Sequence, residues 1–146
     1  MTIQPVLQAL VLADQVYVDA RTGKKVIAGT FNRLWGRRFP TTYGRTSFAF
    51  MCLTEVHGRV ELRLVYRDLS DNRELMAVKN LAVQAQDPLV SIEIMVEIPP
   101  FPMPHAGAFA FEVHCGDEVL GSLRVMVSQV PPGATGKAET GEAGGD

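Results

Sequence analysis

The sequence predicts an all-β protein, a single sandwich of about eight strands, on two observations. Short runs rich in Val, Leu, Ile and Phe recur along the chain, separated by turn residues at the spacing of a sandwich or barrel. Several of those runs also alternate with period two, as a strand does when one face meets a core and the other meets water.

The runs follow in order. VLQALVLA and VYVDA lead to the turn ARTGKK, and KVIAGTF follows it. TSFAFMCLTEV ends at His57-Gly58, and VELRLVYRDL runs to the cluster Ser70-Asp71-Asn72. ELMAVKNLAVQAQ precedes Asp87-Pro88, and LVSIEIMVEI enters the Pro-rich link PPFPMPHAG. AFAFEVHC, the turn Gly116-Asp117 and EVLGSLRVMV close the series. In VELRLVYRDL, Val60, Leu62, Leu64 and Tyr66 face one side, and in SIEIMVEI so do Ile92, Ile94, Val96 and Ile98. SFAFMCL is apolar on both faces, with Phe48, Phe50 and Cys52 against Ala49, Met51 and Leu53, which predicts a central or doubly covered strand. Residues 6–13 and 74–82 are composed of good helix formers. Both are read as strand, because β-branched residues follow and no helix cap stands out.

A chain of 146 residues is one domain of ordinary size. Residues 1–130 form the sandwich, and from Pro131 the composition falls to PPGATGKAETGEAGGD, the composition of a flexible, disordered tail. The whole formal net charge of −2 belongs to that tail, through Lys137 against Glu139, Glu142 and Asp146, so gross basicity supports no function. Any electrostatic role is local. No apolar run is long enough to span a membrane. VLQALVLA lacks the basic flank and cleavage site of a signal peptide, so a cytoplasmic protein with reduced cysteines is expected.

Three stretches taken together carry a resemblance: DARTGKKVIAGTF (19–31), the dipeptide Phe39-Pro40, and PPFPMPHAGAFAFEVHCGDEVLGSLRVMV (99–127). They are similar to an uncharacterised family of small bacterial β-sandwich proteins, known only as a domain of unknown function. In it a VIxGTF-like strand follows a Gly-containing hairpin, and a Pro-rich crossover leads to a closing PGxYxFEVxxDGxxLG-like hairpin. Here that hairpin reads HAGAFAFEVHCGDEVLG, with Ala106 where the pattern often has Pro and Phe109 where it often has Tyr. The resemblance covers about residues 6 to 129 and implies the sandwich fold, with no catalytic residues. The build expected is immunoglobulin-like in general terms.

Site chemistry is sparse. His57, His105, His114, Cys52 and Cys115 show no metal-ligand spacing, and neither a metal nor a cofactor is expected. Cys52, in register with Phe48 and Phe50, and Cys115, in register with Phe109, Phe111 and Val113, are both expected to point inward. As reduced thiols they serve as small hydrophobes; in an oxidising compartment they could pair. No nucleophile motif appears, and Glu93, Glu97 and Glu112 alternate outward on strands, so no enzyme is expected. The link EIPPFPMPH reads either as a ligand for an aromatic groove or as a stiff crossover whose Phe101 and Met103 cap the core edge. The crossover is the reading adopted.

The most distinctive stretch is RLWGRRFPTTYGR, residues 33–45, with four arginines, three aromatics and no acid. Aromatics with Arg suit a protein interface or an anionic partner, but the loop joins two hydrophobic strands and reads first as structural cover, with Trp35, Phe39 and Tyr43 sealing one end of the sandwich. No nucleic-acid signature accompanies it. The function expected is a non-catalytic binding or scaffolding module acting through protein–protein contacts, with Trp35, Arg37, Arg38 and Tyr43 as anchors. A self-assembling structural protein is the alternative, ahead of a small enzyme or polyanion binder. Apolar residues on both faces of 48–53 and possible open sheet edges motivate that alternative.

Overall fold

The computed structural model describes residues 3–131 and Gly133. Those residues form an all-β sandwich with no helix, and the tail expected beyond Pro131 otherwise lies outside them. The strands are β1 (Val6–Val18), β2 (Lys25–Thr30), β3 (Arg33–Gly36), β4 (Thr41–Tyr43), β5 (Ser47–Thr54), β6 (Gly58–Asp68), β7 (Arg73–Ala85), β8 (Ile92–Ile98), β9 (Phe101–Met103), β10 (Gly107–Cys115) and β11 (Glu118–Gln129). The eight long ones correspond to the runs read from sequence, with residues 6–13 and 74–82 both strand. The three short ones, β3, β4 and β9, come from the Arg-rich stretch and the Pro-rich link.

One sheet has the order β2-β1-β5-β8, the other β3-β11-β10-β6-β7. β4 and β9 form a separate ribbon, pairing Thr41 with Met103 and Tyr43 with Phe101. Most pairs are antiparallel, as hairpins and short arches dictate. The exception is β3, which lies parallel to the end of β11, with Arg33 opposite Met126 and Trp35 opposite Ser128.

Period two decides the core. Leu62, Leu64 and Tyr66 of β6 meet Phe109, Phe111 and Val113 of β10 inside the sandwich, all fully buried. Phe101 and Met103 are buried beneath the crossover, so the Pro-rich link caps the core edge. Phe101 stacks on Tyr43 at 5.0 Å and packs against Tyr66 at 4.7 Å and Phe111 at 5.4 Å. Tyr66 hydroxyl donates to the Pro102 carbonyl at 2.9 Å, so its one polar atom is satisfied. Burial, with Asp68 nearby, pushes its phenol pKa well up.

β5 is the central strand anticipated, but its faces are assigned the other way. Ala49, Met51 and Leu53 point into the core, while Phe48, Phe50 and Cys52 line the outer face of the first sheet. Only Cys115, opposite Leu62, packs on the core, where burial raises its thiol pKa. The two thiols sit on faces that do not meet, and both are free. Phe50 is nonetheless buried, because the β1–β2 hairpin folds back over this outer face. Lys25 pairs with Val18, nine residues along β1 from Ala9, which aligns through Cys52 with Glu93. A flat sheet would separate those rows by about 30 Å, yet Lys25 Nζ lies 3.3 Å from Glu93 Oε1. The bend falls at Gly29, whose positive φ and missing Cβ leave room for the Asp14 side chain.

Phe101 joins three chain segments in one aromatic cluster. Phe101→Ala is expected to lower unfolding free energy by about 3–5 kcal/mol. Equilibrium chemical denaturation checks it; a loss under about 1 kcal/mol would mean that the crossover carries little of the core.

Candidate partner-binding edge

The Arg-rich stretch is divided by the fold into an inner and an outer part. Tyr43, expected as a surface anchor, is 1% exposed and lies between Phe31 and Phe101, at 5.8 and 5.0 Å. It is a core residue and offers nothing to a partner. The reason is pairing with β9, which turns the loop's C-terminal third inward. Phe39 is half-buried over Gly36, where a Cβ would lie 2.8 Å from its ring. Glycine is what allows that approach. The Phe39–Pro40 peptide is cis.

The outer part lies on and beside β3. Leu34 points into the core, while Arg33 and Trp35 face outward together. The Arg33 guanidinium sits 4.8 Å from the Trp35 ring centroid and donates to Ser128 Oγ at 3.3 Å. Val125 and Val127 of β11 face the core, so Arg124, Met126 and Ser128 share the outer face with Arg33 and Trp35. Met126 is 42% exposed. Arg37 and Arg38 continue from β3, both exposed. Gln129 Nε2 donates to the Arg37 carbonyl at 3.1 Å, and Val130 N–H to the Gly36 carbonyl at 2.8 Å, holding this segment to β11. The result is a basic patch with an aromatic and a methionine on a sheet edge. Neither β3 nor the outward positions of β11 beyond Glu118 hold an acid. Sequence reasoning named Trp35, Arg37 and Arg38 but not Arg124 and Met126. The alternation in LRVMVSQ puts those two on one face, and only the β3–β11 register joins them to Trp35.

Two other polar constellations occupy the second sheet. On its outer face Glu112 accepts from Arg67 Nε at 3.0 Å and from His114 Nε2 at 2.8 Å. Burial opposes its ionisation, but those two partners prevail and hold its carboxyl below the ordinary value. Glu112 is thus neutralised on its own sheet and does not cancel the patch.

The second constellation joins Asp68, Ser70 and His105. Its members are those of a nucleophile relay, but its geometry is that of a clasp. A relay needs the carboxylate on one imidazole nitrogen and the hydroxyl on the other. Here His105 Nε2 donates to Asp68 Oδ2 at 2.6 Å, and Nδ1 donates to the Ala106 carbonyl at 2.7 Å. Ser70 hydroxyl donates to Asp68 Oδ1 at 2.7 Å and lies 3.4 Å from His105 Nε2, so hydroxyl and carboxylate crowd the same imidazole nitrogen and not opposite ones. The clasp fixes the end of the crossover to β6. Burial opposes charge on Asp68, yet hydrogen bonds from Ser70 and His105 hold its carboxyl below the ordinary range. The Ala106 carbonyl and then Asp68 raise the His105 pKa against desolvation. Among the described residues no group of three His, Cys, Asp or Glu side chains could hold a metal ion, and no helix is long and apolar enough to cross a membrane.

A protein-family model described as a family of unknown function (DUF6941) matches residues 8–128. No curated protein matches the chain. Among solved structures, the chain is similar to an immunoglobulin-like protein from Pseudomonas aeruginosa at 14% identity, covering 86% of this chain and 97% of that one with a TM-score of 0.45.

The clasp generates a pH signature. Asp68's share of stability is present above the ordinary carboxylate pKa and lost as pH falls through its lowered folded value. His105's share is present below the ordinary imidazole pKa and lost as pH rises through its raised folded value. The stability gap between wild type and His105→Gln is therefore expected to be wide near about pH 5.5 and narrow by about pH 9. Denaturation midpoints across that range check it; a constant gap would rule out a charged clasp.

Proposed function

The chain belongs to the family of unknown function DUF6941, and since that membership brings no activity with it, we propose a non-catalytic binding module that takes its partner at the β3 edge. One observation carries the reading: Arg33, Trp35, Arg124 and Met126 converge on the outer face of an edge strand, with Arg37 and Arg38 beside them. Trp, Arg and Met are the residue types enriched in interface cores, because each offers large contact area with a directional or polarisable contact. β3 ends the strand order of its sheet, which sets this surface at an edge. The partner is expected to be a protein offering an acidic and apolar extended segment, since the patch supplies positive charge around an aromatic ring.

The test is capture from native lysate by wild type and by Trp35→Ala/Arg33→Ala, with circular dichroism confirming that both fold. The variant is expected to lose at least about tenfold in affinity for whatever the wild type retains. Capture by wild type should also weaken as salt rises. Equal capture by a folded variant would remove the β3 edge as the contact surface.

A further inference from the structure

The two sheets leave four edge strands, β2 and β8 in one and β3 and β7 in the other. Open edges template pairing with other chains unless something blocks them. β7 is blocked: its pairing with β6 shifts register twice, and Asn80 takes a left-handed conformation beside exposed Lys79. β2 and β3 are short, at six and four residues. β8 is the long regular edge. It pairs with β5 in unbroken register from Ile92 to Ile98 and contains no Lys, Arg, Pro or Gly.

The direction of the backbone groups on β8 follows from two bonds on its neighbours. Leu12 gives its carbonyl to Phe31 N–H at 3.0 Å, away from β5, and Glu55 N–H reaches the Pro88 carbonyl at 2.9 Å, on the β8 side. Leu12 lies opposite Ala49, so strand alternation turns Ala49 and Met51 of β5 toward β8, and Val96 and Ile94 of β8 back toward β5. Glu93, Met95 and Glu97 are left with their N–H and C=O groups on the flank away from β5. No hydrogen bond from another described residue reaches those groups.

The side chains of the same three residues share the outer face, because Val96 and Ile98 are buried in the core. Glu97 is exposed and has no hydrogen bond or ion pair among the described residues. Glu93 is partly engaged by Lys25 at 3.3 Å. Met95, between them, is 41% exposed. The flank is thus an unpaired strand edge with an acid–apolar–acid row beside it. Against a second β8 that row repels itself, since an antiparallel pair centred on Met95 sets Glu93 against Glu97 twice. Against a basic strand it is complementary.

We propose that β8 takes an extended segment of a partner protein as an added strand, one that carries a basic, an apolar and a basic residue at alternate positions. The segment's backbone bonds to Glu93, Met95 and Glu97, and its alternate side chains meet the two carboxylates and the Met95 thioether. The sheet of order β2-β1-β5-β8 then gains a fifth strand. This surface is separate from the β3 edge, which belongs to the other sheet, so either can fail without the other.

The experiment titrates the full chain into a fluorescently labelled heptapeptide and reads anisotropy. The peptide has lysine at its second and sixth positions, leucine at the fourth, valine at the third and fifth, and threonine at both ends. A second peptide has glutamate in place of both lysines. Wild type is expected to bind the lysine peptide at least about tenfold more tightly than the glutamate one, and less tightly as salt rises. Glu97→Lys is expected to remove that preference. Met95→Pro deletes the N–H at the centre of the open flank, spares the bonds to β5, and is expected to abolish binding. Glu118→Lys, at an exposed carboxylate on β11, is expected to bind as wild type does. Circular dichroism establishes that each variant folds. Failure of wild type to bind the lysine peptide at millimolar protein overturns the proposal, as does undiminished binding by folded Met95→Pro or Glu97→Lys. A wild type that instead gains mass with its own concentration, and loses that on Met95→Pro, assigns the flank to a second copy and overturns the basic partner.

Discussion

Phe101 is the contact on which the rest of the arrangement depends. It touches Tyr43, Tyr66 and Phe111, three rings supplied by three separate strands. Aromatic groups of that size dominate core energetics, and their tilted and edge contacts add directional preference to area. Through Tyr43 the ring cluster holds β4, and through β4 it limits where the Arg-rich stretch can run. Through Pro102, whose carbonyl accepts from Tyr66, it holds the crossover. His105 and Asp68 secure the same crossover at its far end. The short parallel strand β3 lies where it does because the chain on its C-terminal side is anchored in the core.

That anchoring separates charge from hydrophobicity within one loop. Tyr43 and Phe39 turn inward, and the arginines with Trp35 remain on the outer side, so a mixed sequence becomes a buried seal and a basic edge. On the second sheet Glu112 is occupied by Arg67 and His114, and it does not reach across to quench that edge. On the first sheet, Lys25 meets Glu93, drawing the β1–β2 arm over Phe50. The outer faces are thus not equivalent: one is partly roofed by its own hairpin, and the other carries ion pairs and a basic margin.

The fold was largely legible in the sequence and the site only in part. Alternation located the eight long strands and the inner faces of β6 and β8, and composition identified the capping role of Phe101 and Met103. The faces of β5 were misassigned because both are apolar, so period two gives no sign there; the aromatic face is the outer one. Tyr43 was misread for a related reason. An aromatic between Thr42 and Gly44 in an Arg-rich stretch has no local signal of burial, and its partner Phe101 lies far along the chain. Trp35, Arg37 and Arg38 were visible as a cluster, while Arg124 and Met126 joined them only through a long-range parallel pairing.

By itself the sequence determined which runs are strands, which residues within each run share a face, and where turns fall. Those are properties of one pleated segment and its neighbours in the chain. Tertiary structure alone decided which strands are central and which are edges, which apolar face is roofed, and that β3 runs beside β11. Those outcomes depend on which segments meet after loop closure, and strand pairing is a relation between residues that the local pattern does not contain. The same local motif, Arg-x-Trp-x-Arg, would be a buried seal beside a neighbouring strand and a contact surface without one. Here β3 is the edge strand of its sheet, which no local pattern foretells.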